Sequence, residues 1–485
     1  MKIPEKGKTK GEILKTLHSY KEKDLDWRSG KVMGYIYHPG DEAMDVINEA
    51  YTMYLTENAL DPTAYPSIFR IENELIGMLA DLLRGDENMV GNFTSGGTES
   101  IMMAVLSARN KTRAERPEIK EPEIILPLTA HAAFYKACHY LGVKPVAVPV
   151  RDETFRADVD AMRNAITENT ILLVCSAPGY AHGVVDPVEE IAQLAQEKNL
   201  LCHVDACVGG IHLSFMRKLD MDVPAFDLSV PGVTSLSVDM HKYGYAAKNA
   251  SVILYKSKDL RRRQIFACAS WPGYTVVNAT AGSSKTGGPV AGAWAILNHL
   301  GSEGYMEIVR EVMDATRLLI DGIGGIDCLK VNGSPDMCMF SFHSTTDRLN
   351  VYKLADEMKL RGGWYLQPQF ARGNSKSNLH IAMTHLNVPM AEALLKDLKE
   401  TVNDLLKEEK PAEEPSQLAA TMQNLDFNNL DLDEGALLGM LEMAGVTKDS
   451  TPERMEEINK ILESLPYDFT EFILITYFNN MMKAG

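Results

Sequence analysis

The chain has 485 residues, with 45% hydrophobic and 24% charged content, ordinary for a soluble protein with room for more than one core. A formal net charge of −17 argues against a general nucleic-acid binder, because phosphate affinity comes from clustered Lys and Arg, but it leaves room for one basic pocket for a small anion. No stretch reaches the roughly 18–20 apolar residues of a membrane span, the N-terminus has no secretory core, and an odd set of seven cysteines without a CxxC pair predicts a reduced, cytoplasmic protein.

Residues 1–45 form a polar, lysine-rich N-terminal segment ending in "KVMGYIYHPGDE". Apolar positions at helical spacing predict helices over 42–57 and 70–83. Short apolar runs then alternate with helical patterns. The runs are Glu123–Pro127, Pro145–Val150, Ile171–Ser176, Leu200–Val204, Ser235–Asp239 and Ser251–Tyr255. Alternating strands and helices, the strands apolar on both faces, predict an α/β fold with a mostly parallel central sheet in a large domain, 46–290. Two helices, "GAWAILNHLG" and "GYMEIVREVMDATRLLIDGI", lead into a smaller C-terminal α/β domain, 291–407, with "CMFSFH" and "NLHIAMT" as strands. Pro, Glu and Ser mark 408–417 as a linker. The tail, 418–485, is acidic and then amphipathic: "EGALLGMLEMAG", a helix started by Thr451–Pro452, and "FTEFILITYFNNMM".

In open parallel sheets ligands sit beyond the carboxyl ends of the strands, and four motifs fall there. In "NFTSGGTES" an extended segment meets Ser95-Gly96-Gly97-Thr98 just before a helix. Freed N–H groups and the helix dipole would favour an anion such as phosphate; an ordinary helix cap is the competing reading. In "TAHAAFYKA", His131 follows a strand and could stack on a heteroaromatic ring or be merely structural. Asp205 ends the strand of "LCHVDACVGG", where a buried carboxylate needs a cation or several donors, or else caps a helix. In "DMHKYGYAAK", Lys242 or Lys248 could form a Schiff base with a carbonyl, and either could equally be solvated.

Together, an anion cradle, a stacking histidine, a strand-end aspartate and a reactive lysine are the parts that hold pyridoxal 5'-phosphate. A metal site from His131, His182, His203 and Cys202 lacks local ligand spacing, so no metal is expected.

The sequence resembles the pyridoxal-phosphate enzymes of the aspartate-aminotransferase fold (fold type I), most of all the sphingosine-1-phosphate lyases and more distantly the group II amino-acid decarboxylases. The carriers are "TSGGTESIMMA", "AHAAFYKA", "SAPGYAHGVVDPVEEIA", "HVDACVGG", "GVTSLSVDMHKYGYAAK" and "WPGYTVVNATAGSSKTGG", spread from about Lys31 to about residue 405. The resemblance implies that Lys242 carries the cofactor, His241 contacts its phosphate, Asp205 pairs its ring nitrogen and His131 stacks on it. Gly97 and Thr98 match the phosphate loop. Ser284 matches a phosphate-contacting serine that can come from the other subunit. Tyr37 matches a tyrosine that reaches the substrate region, and His182 lies in a loop that matches another active-site loop.

Two departures stand close to the expected substrate site. The family's "NPLH" reads "NALD", which puts Asp61 where a histidine is usual. Its "GSRPGG" reads "SSKTGG", which puts Lys285 in place of an arginine. The implied function is retro-aldol cleavage of a phosphorylated β-hydroxy amine, with Lys242, Tyr37 and His182 as candidates for proton transfer. Amino-acid decarboxylation on the same cofactor is the alternative, and a catalytically degenerate binding or scaffold relative the second. The family's sites are usually built at a subunit interface, so a homodimer is expected.

Overall fold

The computed structural model describes residues 2–408 and 452–482, together with positions 435, 438, 439, 442 and 445–447. The linker read at 408–417, Glu408 apart, and most of "EGALLGMLEMAG" lie outside the described residues.

Helix α1 (Lys10–Tyr20) starts in a capping box: Thr9 Oγ1 accepts from the Glu12 N–H, and the Glu12 carboxylate accepts from the Thr9 N–H. It buries none of its residues. α2 (Asp41–Met53) ends earlier than its apolar spacing suggests. α3 (Pro66–Leu82) begins four residues earlier, because Pro66 suits a first turn that needs no N–H.

The large sheet is then laid down by β1 (Val90–Thr94), α4 (Gly97–Glu115), β2 (Glu123–Pro127), α5 (Ala133–Leu141), β3 (Lys144–Val148), α6 (Val159–Ala165), β4 (Thr170–Ser176), α7 (Val188–Glu197), β5 (Leu201–Asp205), α8 (Gly210–Lys218), β6 (Ser235–Asp239) and β7 (Ser251–Tyr255). Its order is β1-β7-β6-β5-β4-β2-β3. Every pairing is parallel except the two made by β7, which runs against β6 and β1. The carboxyl ends of the other six strands therefore share one edge.

The sheet is covered on both faces. Ile124, Leu126, Leu172 and Val174 pack with Ile101, Val105 and Phe134 from α4 and α5. The intervening Ile125, Leu173 and Cys175 point the other way, to Ile191 and Leu194 of α7 and Leu213 of α8. This strict alternation under two helical layers is why the strands read as unbroken apolar runs.

Beyond β7 come α9 (Lys258–Arg262) and a small hairpin, β8 (Phe266–Cys268) with β9 (Val276–Asn278). The two helices expected next form one run, α10 (Gly287–Gly324), which bends at Gly301 (φ 57°). The smaller unit has β10 (Leu329–Val331), β11 (Met339–Ser344), α11 (Val351–Gly362), β12 (Gln367–Gln369), β13 (Asn378–Ala382) and α12 (Ala391–Lys407). Its four strands are antiparallel in the order β10-β11-β13-β12. Phe340, Phe342 and Ile381 join the same core as Leu173 and Leu213, so the smaller sheet packs into the large one's core.

In the tail, α13 (Glu456–Ser464) and α14 (Tyr467–Met481) are helical. The helix expected from Thr451–Pro452 begins instead at Glu456, because Asp356 Oδ2 on α11 accepts the N–H groups of Met455 and Glu456 and caps it there. Thr451 itself is outside the described residues. No described helix is long and apolar enough to cross a membrane.

Candidate active site

Five strand ends meet at one cavity of about 340 Å³. After β1 come Ser95, Gly96, Gly97 and Thr98; beyond β2 lies His131; after β4 come Pro178 and Tyr180; β5 ends on Asp205; β6 ends on Asp239, followed by His241 and Lys242. Six residues singled out from the sequence thus share one cavity: Gly97, Thr98, His131, Asp205, His241 and Lys242.

At the phosphate loop, α4 starts at Gly97, where the first N–H groups of a helix have no internal acceptor. A Cβ on Gly97 would lie 2.8 and 2.9 Å from the Asp239 carboxylate oxygens and 2.9 Å from Cys207 Sγ. Only a residue without a side chain lets these three segments close together. Glu99 secures the loop: its carboxylate accepts from the Ser95 N–H at 2.6 Å and from the Ala281 N–H at 2.8 Å.

Lys242 Nζ stands 3.0 Å from Asp239 Oδ2. Burial works against the ammonium charge, and the surrounding negative groups, Asp239 foremost, overturn it and hold the Lys242 pKa above its ordinary value. Burial also opposes the charge on Asp239, but Lys242 and His241 prevail and lower its pKa. His241 Nδ1 accepts the Ala250 N–H, which leaves Nε2 to carry the proton and face Asp239 Oδ2 at 3.5 Å. Burial lowers the His241 pKa, and the neighbouring Lys242 and Lys248 charges add to that. Asp239 was overlooked as a site residue. Its signal was an acidic residue on a buried strand three positions before the lysine.

Asp205 Oδ1 accepts from the Cys207 N–H at 3.1 Å and from Ser237 Oγ at 3.3 Å. His131 Nδ1 accepts the Ala133 N–H, so α5 opens two residues after the histidine rather than on it. Lys248 is exposed, donates to the Tyr35 carbonyl at 3.0 Å and lies over the Tyr37 ring. Lys242 is therefore the lysine of the cavity.

The substrate-side residues are more scattered. Tyr37 packs edge-on against Tyr243, with ring centres 5.0 Å apart. Burial raises its pKa and the Lys242 charge draws it back, which places the phenol within electrostatic reach of that lysine. Tyr180, not anticipated, lines the cavity; burial pushes its phenol up to about 12. It hydrogen-bonds Gln367 at 2.6 Å and stacks on His380.

His182 does not line the cavity. It stacks on Phe155 with ring centres 4.0 Å apart, its Nε2 meets Ser375 Oγ at 2.9 Å, and burial lowers its pKa to about 4. Asp61 is exposed and accepts from the N–H and hydroxyl of Thr63. Lys285 is committed to the buried Glu72, 2.6 and 2.7 Å away, which also accepts the Phe93 N–H. Ser284 is exposed and does not line its own chain's cavity.

The cavity suits pyridoxal phosphate. Among the described residues, Ser176 Oγ and Asp239 Oδ1 are buried without a hydrogen-bond partner, and both residues line it. Such groups call for a polar ligand. A glycine-walled helix start for phosphate, a carboxylate for a ring nitrogen and a primary amine for an aldehyde stand around one space. Fold and site together define a pyridoxal-phosphate enzyme of fold type I.

The comparisons narrow this. The family model "Pyridoxal-dependent decarboxylase conserved domain" matches residues 25–342, and a model for the C-terminal HTH-type domain of pyridoxal-dependent enzymes matches 416–480. The chain is 40% identical over 403 residues to sphingosine-1-phosphate lyase of Dictyostelium discoideum, covering 82% of this chain and 74% of that protein. It is 34% identical to a probable L-aspartate decarboxylase of Pyrococcus abyssi, covering 83% of this chain and 99% of that one. Among solved structures, sphingosine-1-phosphate lyase of Burkholderia pseudomallei superposes with a TM-score of 0.79 at 35% identity, covering 83% of this chain and 92% of that one. The chain belongs to the sphingosine-1-phosphate lyase family within the pyridoxal-dependent decarboxylases.

Proposed function

We propose that this chain is an aldehyde-lyase that cleaves a phosphorylated long-chain β-hydroxy amine into an aldehyde and phosphoethanolamine, and so serves sphingolipid breakdown. The observation that carries the reading is the shared architecture with the bacterial lyase over most of both chains, around a cavity lined by both Lys242 and Tyr180. Pyridoxal phosphate, bound by Gly97, Thr98, His131, Asp205, His241 and Lys242, supplies the sink for the electron pair released at Cα. The chain's residues handle the protons. Tyr37 and Tyr180 keep theirs at neutral pH, since burial raises both phenols, and present O–H donors to the substrate's oxygen. Lys242 is the group placed to take the β-hydroxyl proton as the Cα–Cβ bond breaks, which makes the far fragment the aldehyde. Asp239 favours the charged amine that results, and Lys242 returns the same proton to Cα.

Decarboxylation is the second reading. It is favoured by the near-complete coverage of the archaeal relative. Spectral titration separates the two. A phosphorylated long-chain base added to the holoenzyme should shift the visible cofactor band at micromolar concentration, and L-aspartate should not. A shift by L-aspartate alone would favour the decarboxylase.

We place the enzyme in the cytoplasm as a homodimer with sites at the interface. Five buried thiols, Cys138, Cys175, Cys202, Cys207 and Cys338, support a reducing compartment. Exposed Phe266, Trp271, Tyr274 and Val277, on the segment leading to Ser284, support a partner surface there.

A further inference from the structure

The C-terminal segment matching the HTH-type model carries twelve acidic and only three basic residues over 416–480. That charge opposes contact with nucleic-acid phosphates. What the described part of the segment does instead is visible at Glu463 on α13. One carboxylate oxygen, Oε1, accepts from Tyr352 Oη on α11 at 2.9 Å, from the Ala371 N–H at 2.5 Å and from Ser377 Oγ at 2.7 Å. Ala371 and Ser377 stand near the two ends of the loop between β12 and β13, so a single oxygen clasps it. The Arg372 guanidinium lies over the Tyr467 ring of α14 at 3.9 Å. Asp356 caps α13, and Arg454 pairs with Glu357.

The same loop and its two strands also hold residues in and around the cavity wall. Ser375 Oγ meets His182 Nε2 at 2.9 Å, and Asn374 binds Asp152 at 2.8 Å. Gln367 of β12 accepts the Tyr180 hydroxyl at 2.6 Å, and His380 of β13 binds the Tyr180 carbonyl at 2.9 Å. Tyr180 is a wall of the cavity. The tail thus grips the two ends of loop 370–377, while the loop and its flanking strands hold His182 and Tyr180.

We infer that Glu463 is a positioning residue: through loop 370–377 and the strands it joins, it holds Tyr180 in the cavity wall and His182 in its place outside the cavity, so the C-terminal segment is a strut for the active-site wall. The kinetic part rests on the lyase reading; the structural part does not.

The test uses the full-chain holoenzyme and the variants Glu463→Ala, Glu463→Gln and Ser377→Ala. Amide hydrogen exchange is followed in peptides covering 370–377 and 178–184, without substrate. Glu463→Ala should raise exchange in both peptides and reduce kcat/KM for a phosphorylated long-chain base about tenfold, mainly through KM, the scale expected from losing hydrogen bonds to a charged group. The visible cofactor band should persist. Glu463→Gln, which keeps an acceptor oxygen, should recover most of both effects, and Ser377→Ala should reproduce them in smaller measure. If Glu463→Ala does not fold, the Ser377→Ala result decides. Increased exchange confined to α13 and α14, with both loop peptides protected as in the parent, overturns the inference. Increased loop exchange in an enzyme that releases no aldehyde keeps the strut and rejects the lyase reading.

Discussion

At the scale of single residues, the weight rests on two lysines six positions apart. Lys242 has a buried counter-ion and lines the cavity; Lys248 is exposed and spends its ammonium on a backbone carbonyl. Lys242→Ala should abolish the visible band of the bound cofactor and cost activity about 10³-fold or more, the scale of losing a catalytic group. Lys248→Ala should leave the band in place. A band that survives the first substitution and vanishes in the second contradicts the assignment. Six residues of the cavity were legible because they stand at or just past the end of an apolar run, where a polar type is penalised by burial unless it has work to do and a glycine lets the chain close on a ligand. Asp239 was not, because it reads as the last residue of that run. The His182–Ser375 and Lys285–Glu72 contacts were invisible for another reason: 193 and 213 residues separate the partners, and local patterns carry no such information.

At the scale of elements, the junction of β1 and α4 is the tightest part of the site. Gly97→Ala puts a methyl group against Asp239 and Cys207 at distances that real contacts do not show. The expected cost is about 1–3 kcal/mol of stability, typical of overpacking. Cofactor affinity should fall with it, read by equilibrium dialysis at unchanged far-UV circular dichroism. Parent affinity in this variant would mean that the phosphate loop is not where the cofactor binds. Strand positions were readable from burial on both faces, but strand direction was not: β7 is as apolar as its parallel neighbours and runs the opposite way. Helix starts were set by distant partners in places, as where Asp356 rather than Pro452 begins α13.

At the scale of the whole molecule, four buried histidines share one sign. Burial lowers the pKa of His182 and His203 to about 4, and of His212 and His380 to about 3. Between these values and the ordinary 6.5, the unfolded chain binds more protons than the folded one. Stability is therefore lost as pH falls through that window, by up to about 1.4 kcal/mol per pH unit for each group. Asp186 opposes this: burial raises its pKa to about 6, so its proton favours the fold between about 6 and 3.8. One carboxyl does not offset four imidazoles. The urea midpoint should drop steadily from pH 6.5 to 4; a flat midpoint contradicts the burial assigned to these histidines. The dimer is tested at the same scale. Lys242→Ala and Ser284→Ala chains, each impaired alone, should regain about a quarter of parent activity when mixed, the statistical share when one composite site per mixed dimer keeps both residues. No recovery in mixtures shown to exchange subunits would contradict a site completed by its partner.

The central claim is which bond the site breaks. Purified holoenzyme should be given a phosphorylated long-chain base and, separately, L-aspartate and L-glutamate, with aldehyde, phosphoethanolamine and CO₂ measured together. The account predicts equal amounts of long-chain aldehyde and phosphoethanolamine from the first substrate and no CO₂ from the others. Release of CO₂ from an amino acid, with no aldehyde from the phosphorylated base, would contradict it.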